Sequence, residues 1–185
     1  MFLSFGNLKL PSTTAIFNIT SANDCPAKKF CNHVAHCYAR KTEKRYPGVL
    51  PYRRKQTELF DLLNGEQLAK LFLLEICTKK HHISKFRFSE SGDFRTQSDV
   101  DKLTIVSEIL KNNSLVVYGY TARPDLDFHS LSKVATVNGN HFKVTNEIRV
   151  VTQFSNSGEI QCKNNCRICD ACATASDKTI EIIKH

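Results

Sequence analysis

The chain lacks any apolar run of the roughly 20 residues that a membrane-crossing helix needs. Its first residues, Met1-Phe2-Leu3-Ser4-Phe5-Gly6-Asn7, lack both a basic start and an apolar stretch of useful length, so no secretory signal is expected. Without secretion, disulfides are not expected, and clustered cysteines point to metal or redox chemistry in the cytoplasm. No internal repeat and no low-complexity segment is present, which excludes solenoid and linker-like readings. Acidic residues are outnumbered, 18 against 26 Lys and Arg, for a net charge of +8. A basic surface favours polyanionic partners, although many basic proteins bind no nucleic acid. The 185 residues, 41% apolar and 24% charged, suit one globular domain with its own core.

Seven of the eight cysteines fall into two groups, and Cys77 stands alone. The first group, Cys25, Cys31 and Cys37, is equally spaced with five residues in each gap. Three thiolates on one loop can hold three irons of a [4Fe–4S] cluster and leave the fourth iron open, where chemistry can happen. His33 and His36 keep a zinc reading available, but adjacent ligands such as His36 and Cys37 rarely both reach one tetrahedral ion. Reduced, unligated thiols are the third reading.

The second group is Cys162, Cys166, Cys169 and Cys172. A zinc ribbon separates its two cysteine pairs by a longer loop, which this run lacks. The spacing favours an iron–sulfur cluster over zinc. One of these four could instead complete the first group and make a redox or structural centre. Cys77 reads as a small buried apolar residue at a helix end, with no assigned role.

In order, residues 14–20 read as a strand and 21–24 as a turn. A helix is expected from near Tyr38 to just before Pro47-Gly48. Two more come next, over 54–63 and 66–79. Residues 85–89 alternate as a strand, and a helix starts at Thr96 and ends before Asn112. Residues 115–120 form a buried strand and 128–133 a short helix. Weak strands are expected over 135–140, 142–144 and 148–152, with a closing strand over 179–183.

Strands alternating with helices imply α/β architecture with a mainly parallel sheet. Ligands of such sheets sit beyond the carboxyl ends of the strands. The cysteine loop, the Ser91-Gly92-Asp93 turn and Thr121-Ala122-Arg123 all come directly after strands, so all three should meet on one rim. In that turn Gly92 permits close backbone approach, and the carboxylates of Glu90 and Asp93 can accept from an amine. A helix-capping turn is the plainer reading. Tyr118, Tyr120 and Arg123 could clamp a substrate or form ordinary sheet core and rim. Arg40, Lys41, Lys44, Arg45, Arg53, Arg54 and Lys55, with Tyr38, Tyr46 and Tyr52 among them, offer phosphate contacts and stacking, or a solvated helix face.

The three-cysteine loop after the first strand, with Tyr38 beside the last cysteine, resembles the radical S-adenosylmethionine superfamily, whose usual spacing is the shorter C-x3-C-x2-C. More closely, the chain is similar to a family of cysteine-rich phage proteins, the gene product 88 family. Asp24-Cys25-Pro26 through Cys37-Tyr38-Ala39, Tyr46-Pro47, 87–94, Tyr118-Gly119-Tyr120-Thr121, the late cysteine run and the closing strand to His185 carry that similarity.

The resemblance to radical enzymes implies a partial (β/α) barrel over 12–155, with the C-terminal cysteine-rich metal-binding segment and closing strand over 160–185 of a single domain. Cys25, Cys31 and Cys37 would ligate a [4Fe–4S] cluster. Ser89, Glu90, Ser91, Gly92, Asp93 and Tyr38 would surround S-adenosylmethionine, the Ser91-Gly92-Asp93 turn meeting its amine. Reductive cleavage would give a 5′-deoxyadenosyl radical that abstracts hydrogen from a substrate. Cys162, Cys166, Cys169 and Cys172 would hold a second iron–sulfur cluster or zinc. A reductase or other electron donor, and a nucleic acid or phosphate-bearing substrate, are the expected partners, with no membrane. The host cytoplasm is the expected location for a phage-encoded chain, and no residue is assigned a catalytic role. The alternative is a metal-stabilised nucleic-acid-binding or electron-transfer module without catalysis.

Overall fold

The computed structural model describes residues 1–128, 130–131, 134–136, 146–151, 153, 159–163, 165–169, 171–174 and 178–183, with backbone alone for 135–136, 146–151, 178 and 183. The described strands are β1 (Ser4–Phe5), β2 (Thr14–Phe17), β3 (Lys85–Phe88), β4 (Val116–Thr121), β5 (Val134–Thr136), β6 (Asn146–Val151), β7 (Ile160–Gln161) and β8 (Lys178–Ile183). They form one sheet in the order β1-β2-β3-β4-β5-β6-β8-β7. β1 is antiparallel to β2, and every other described pairing is parallel. Among the described residues the sheet is not closed into a barrel, and β8 joins the same sheet as β2.

The register aligns Phe17 with Phe88 and Phe88 with Gly119. The carboxyl ends of β2 and β3 therefore finish level with one another, and β4 runs two residues further, to Thr121. Gly119 makes room for the neighbouring strand: a Cβ there would lie 2.2 Å from the Phe88 ring.

One face of the sheet is covered by α2 (Val49–Leu62), α3 (Gly65–Cys77) and α4 (Gln97–Asn112), whose apolar stripes meet the inward residues of the strands. Phe17, Phe60, Phe72, Phe86 and Leu103 are fully buried there. Phe17 and Phe72 lie 4.7 Å apart by ring centroids, and Phe72 and Phe86 5.2 Å. Edge-on contacts continue the row through Phe88, Phe94 and Phe128. Each such phenylalanine contributes about 1.5–3 kcal/mol on burial. Parallel strands are usually covered on both faces. Here the second face carries a smaller apolar group in which Tyr120, Cys162 and Cys172 pack on Ile180.

The first cysteine loop leads into α1 (Tyr38–Arg45), which stops before Pro47-Gly48 as expected. The next helix begins earlier than position 54. Pro51 falls in its first turn, where a missing N–H costs nothing, so α2 starts at Val49. α3 begins at Gly65 behind a reciprocal capping box: the Asn64 side chain accepts from Gln67 N–H, and the Gln67 side chain accepts from Asn64 N–H. Thr96 precedes α4 without a side-chain cap; Asp99 reaches back instead and accepts from Arg95 N–H at 2.8 Å. α4 runs on to Asn112, beyond the expected end.

Cys77 corrects the expectation of burial. It is the last residue of α3, beyond the stripe of Leu68, Ala69 and Phe72, and is exposed. The helix expected over 128–133 is not formed by its described residues, which make turns. Residues 137–140 and the strand expected over 142–144 lie outside the described residues, as do Thr152 and His185. Short β1, β7 and α5 (Ala171–Thr174) gave no sequence signal, being two to four residues long.

Candidate functional site

The three loops expected to share a rim do so, and hydrogen bonds join them. Leaving β2, the chain passes Asn18, Ile19 and Thr20, all buried, before the cysteines. Leaving β3, it turns through Ser89, Glu90, Ser91, Gly92 and Asp93. The Asn18 side-chain carbonyl accepts from Ser91 N–H at 2.7 Å. The Thr20 hydroxyl donates to the Asp93 carbonyl and accepts from Asp93 N–H, both at 2.9 Å. Leaving β4, the Thr121 hydroxyl and Ala122 N–H donate to the Asp93 carboxylate at 2.9 and 2.7 Å.

Gly92 is required at this meeting point. Its φ of +70° is left-handed, and an added Cβ would lie 2.1 Å from the Thr20 hydroxyl and 2.2 Å from the Thr20 carbonyl oxygen. Ser89 also sits at positive φ, +51°, without glycine's freedom. Its hydroxyl is buried and has no hydrogen-bond partner among the described residues.

Asp93 is fully committed within the protein. Its carboxylate accepts from Thr121, Ala122 N–H and Phe94 N–H. Burial pushes its pKa up to about 6, and those hydrogen bonds pull the other way. The Glu90 carboxylate accepts from the Asn7 side-chain amide. The Ser91 hydroxyl donates to Glu43 at 3.2 Å. Tyr38 is 55% exposed as a residue, yet its hydroxyl reaches inward and donates to the Glu90 carbonyl at 2.5 Å. Desolvation holds that hydroxyl above the ordinary phenol range.

Cys25, Cys31 and Cys37 are half-buried and in no disulfide. Each stands at the edge of a short 3₁₀ turn, Pro26–Lys29 or Val34–His36, or at the start of α1. Burial pushes the Cys25 thiol up to about 12, with the Asp93 charge next in effect and the neighbouring thiols adding to it. Arg123 lies across the loop, its guanidinium 5.4 Å from the Phe30 ring centroid, and donates to the Phe94 carbonyl at 2.6 Å. His36 is exposed and His33 partly so.

Among the described residues no group of three Cys, His, Asp or Glu side chains converges to seat one ion. A cubane makes a different demand, because each thiolate binds its own iron. Three soft donors from one half-buried loop fit such a group. Among the described residues the Ser89 hydroxyl and Arg87 Nε are buried without a hydrogen-bond partner, which leaves polar atoms at the end of β3 for a further ligand.

Cys162, Cys166, Cys169 and Cys172 all line one small cavity of about 30 Å³ on the second face of the sheet, with Tyr118, Tyr120, Lys85 and Thr14. Its lining runs from Thr14 and Lys85, which begin their strands, to Tyr120, next to the last residue of β4. Burial raises the Cys172 thiol, which a hydrogen bond with Tyr120 offsets. Arg87 stacks over the Tyr120 ring at 4.7 Å, and among the described residues it makes no ion pair.

The basic stretch divides. Arg53 is buried and pairs with Glu43 at 2.8 Å, while Arg54 makes a half-exposed bidentate pair with Asp24. The Tyr52 hydroxyl donates to the Phe2 carbonyl. Arg40, Lys41, Lys44 and Arg45 remain exposed on α1, with Arg45 over the Tyr46 ring.

Several site residues escaped sequence reasoning. Glu43 accepts from Ala22 N–H and Asn23 N–H at 2.7 and 2.8 Å as well as from Arg53 and Ser91, and so fixes the entry to the cysteine loop. Its signal was being the lone acid between Cys37 and Arg54. Arg87 could have been flagged because the polar side of β3 belongs to a sheet covered on both faces. Thr20 and Asn18 gave no signal beyond lying between strand and cysteines.

No described helix is long and apolar enough to cross a membrane. Neither the curated proteins nor the solved structures offer a match to the chain. A family model described as Gene product 88 matches residues 1–141, which include the first cysteine loop, the glycine turn and β1 to β5, and end before the second cysteine group. The match spans most of the sequence, and the chain belongs to the Gene product 88 family.

Proposed function

We propose that this chain is an iron–sulfur protein of the radical S-adenosylmethionine type, acting on a phosphate-bearing or nucleic-acid-derived substrate, with its sheet curved as a partial barrel. The observation that carries the reading is the meeting of a three-thiol loop and a glycine turn on one rim of a parallel sheet. A [4Fe–4S] cluster bound by Cys25, Cys31 and Cys37 would supply an electron and one open coordination position.

The chain's own residues prepare that corner. Thr20 locks the turn to the cysteine loop, and Tyr38 pins the Glu90 carbonyl beside Cys37. With the Asp93 carboxylate already committed, the backbone of Ser91 and Gly92 is left to meet an amine. The Ser89 hydroxyl in the same turn offers a hydrogen bond to an acid group. Phe30 and Arg123 stack on one another between the cysteine loop and the end of β4. Cys162, Cys166, Cys169 and Cys172 hold a second iron–sulfur cluster or zinc, supported by the single cavity that all four line. A cytoplasmic reductase would complete the system.

A metal-stabilised nucleic-acid-binding or electron-transfer module is the second reading, favoured by the exposed cations of α1. The test is anaerobic purification with counts of iron, sulfide and zinc, then electron paramagnetic resonance of the reduced protein with and without S-adenosylmethionine. About four irons and four sulfides per filled site, with a spectrum that moves on adding the compound, are expected. Zinc without sulfide would sink the radical reading. Iron with an unmoved spectrum would point to electron transfer or structure.

A further inference from the structure

We infer that the groove between α1 and the first cysteine loop binds a small phosphate-bearing molecule, held by Arg40, Lys41 and Lys44. This names the substrate class of the proposed function; the binding itself stands without that reading, and only the chemistry after binding rests on it.

The groove encloses about 520 Å³. That lies within the roughly 300–1,000 Å³ of small-molecule sites. One wall is basic: Arg40, Lys41 and Lys44 line it from α1. Among the described residues none of the three makes an ion pair. The one carboxylate on this wall, Glu43, is buried and already engaged by Arg53 and two backbone N–H groups. The cations therefore face the groove without a neutralising acid.

Their spacing sharpens the point. Lys44 is three residues from Lys41 and four from Arg40, so like charges share one helix face and repel one another. An anion lying between them reverses that repulsion. Several charged donors at one locus suit a multi-oxygen dianion such as phosphate or pyrophosphate. Val34 and Leu50 supply apolar wall for the uncharged remainder. Cys37 also lines the groove, so a molecule anchored by its phosphate extends toward the metal loop. A groove of this size suits one molecule, where a polymer would need a track.

The experiment is calorimetric titration of inorganic pyrophosphate into the full chain, in buffer free of divalent cations, at low and moderate salt. Saturable binding at one site is expected. The triple variant R40Q/K41Q/K44Q should weaken it by about tenfold or more. A control with the same charge change on exposed lysines elsewhere, K55Q/K70Q/K80Q, should stay within about twofold. Circular dichroism confirms that both variants fold. Equal weakening in both variants would reduce the effect to diffuse charge and overturn the site. No saturable binding would also overturn it, as would a thymidine oligonucleotide that binds far more tightly than pyrophosphate. Pyrophosphate binding in protein that takes up no iron leaves this site standing while the cluster reading falls. Iron-loaded protein that ignores pyrophosphate does the reverse.

Discussion

The Thr20 hydroxyl makes two hydrogen bonds to the backbone of Asp93, donating to its carbonyl and accepting from its N–H, across 73 residues of sequence. One side chain thereby joins the strand end that precedes the cysteines to the turn after β3. Thr20→Val keeps the shape and removes both bonds, leaving buried backbone groups unpaired. Urea unfolding should show a loss of about 1–3 kcal/mol, with Thr20→Ser close to wild type. If Val and Ser behave alike, the clasp contributes nothing.

Asp93 makes this corner sensitive to pH. Its folded carboxyl keeps the proton up to about pH 6. The unfolded chain releases it near pH 4. Between those values the folded state binds more protons, so stability falls as pH rises. The shift of about two units is worth about 3 kcal/mol. Asp93→Asn cannot titrate, so the stability of wild type relative to D93N should decline by roughly that amount between about pH 3.5 and pH 7. A difference that stays flat with pH removes the assignment.

Two positive-φ residues in one turn should respond oppositely. Gly92→Ala forces a Cβ into the Thr20 backbone and should cost about 3 kcal/mol or more, or prevent folding. Ser89→Gly relieves a left-handed serine and removes a buried unpartnered hydroxyl, so thermal unfolding should move upward or hold. A large loss in S89G would mean that the hydroxyl has a structural partner.

Arg53 and Arg54 are adjacent and should differ sharply. Arg53→Gln strips the buried Glu43 of its countercharge and should cost about 3–5 kcal/mol. Arg54 and Asp24 are half exposed, and Arg54 holds the Asp24 carboxyl down at about 2. Solvent screens that pair, so Arg54→Gln should cost less than about 1 kcal/mol. Equal losses in chemical denaturation would contradict this division.

The two cysteine groups should lose metal separately. Cys37→Ala should abolish metal bound at the rim and spare metal at the second group, while Cys169→Ala should do the opposite. Metal counts on the two variants decide this. Complete loss of metal from both would mean one shared centre.

The rim was legible because order along the chain decides it: three loops after three parallel strands must emerge on one side. The helices were legible from stripes such as Leu68, Leu71 and Phe72, and their ends slipped where local chemistry intervened, as at Pro51. The turn's residues were visible, but their uses were not. Asp93 was open to an amine on spacing alone, and only the closeness of Thr121, Ala122 and Phe94 shows that it is already bound. The basic stretch looked uniform because charge carries no depth, whereas Arg53 lies inside and Arg40 outside. Cys77 misled for the converse reason, since a helix stripe does not reveal where packing stops.

The small β1 strand has a role out of proportion to its two residues. Running against β2, it occupies the bonding edge that a parallel sheet would otherwise offer to a neighbour. The Glu75 carboxylate holds the approach to it by accepting from Phe2 and Leu3 N–H. An unguarded strand edge is a template for self-association. Residues 2–5 thus shield the edge of β2, and removing them would expose that edge for pairing.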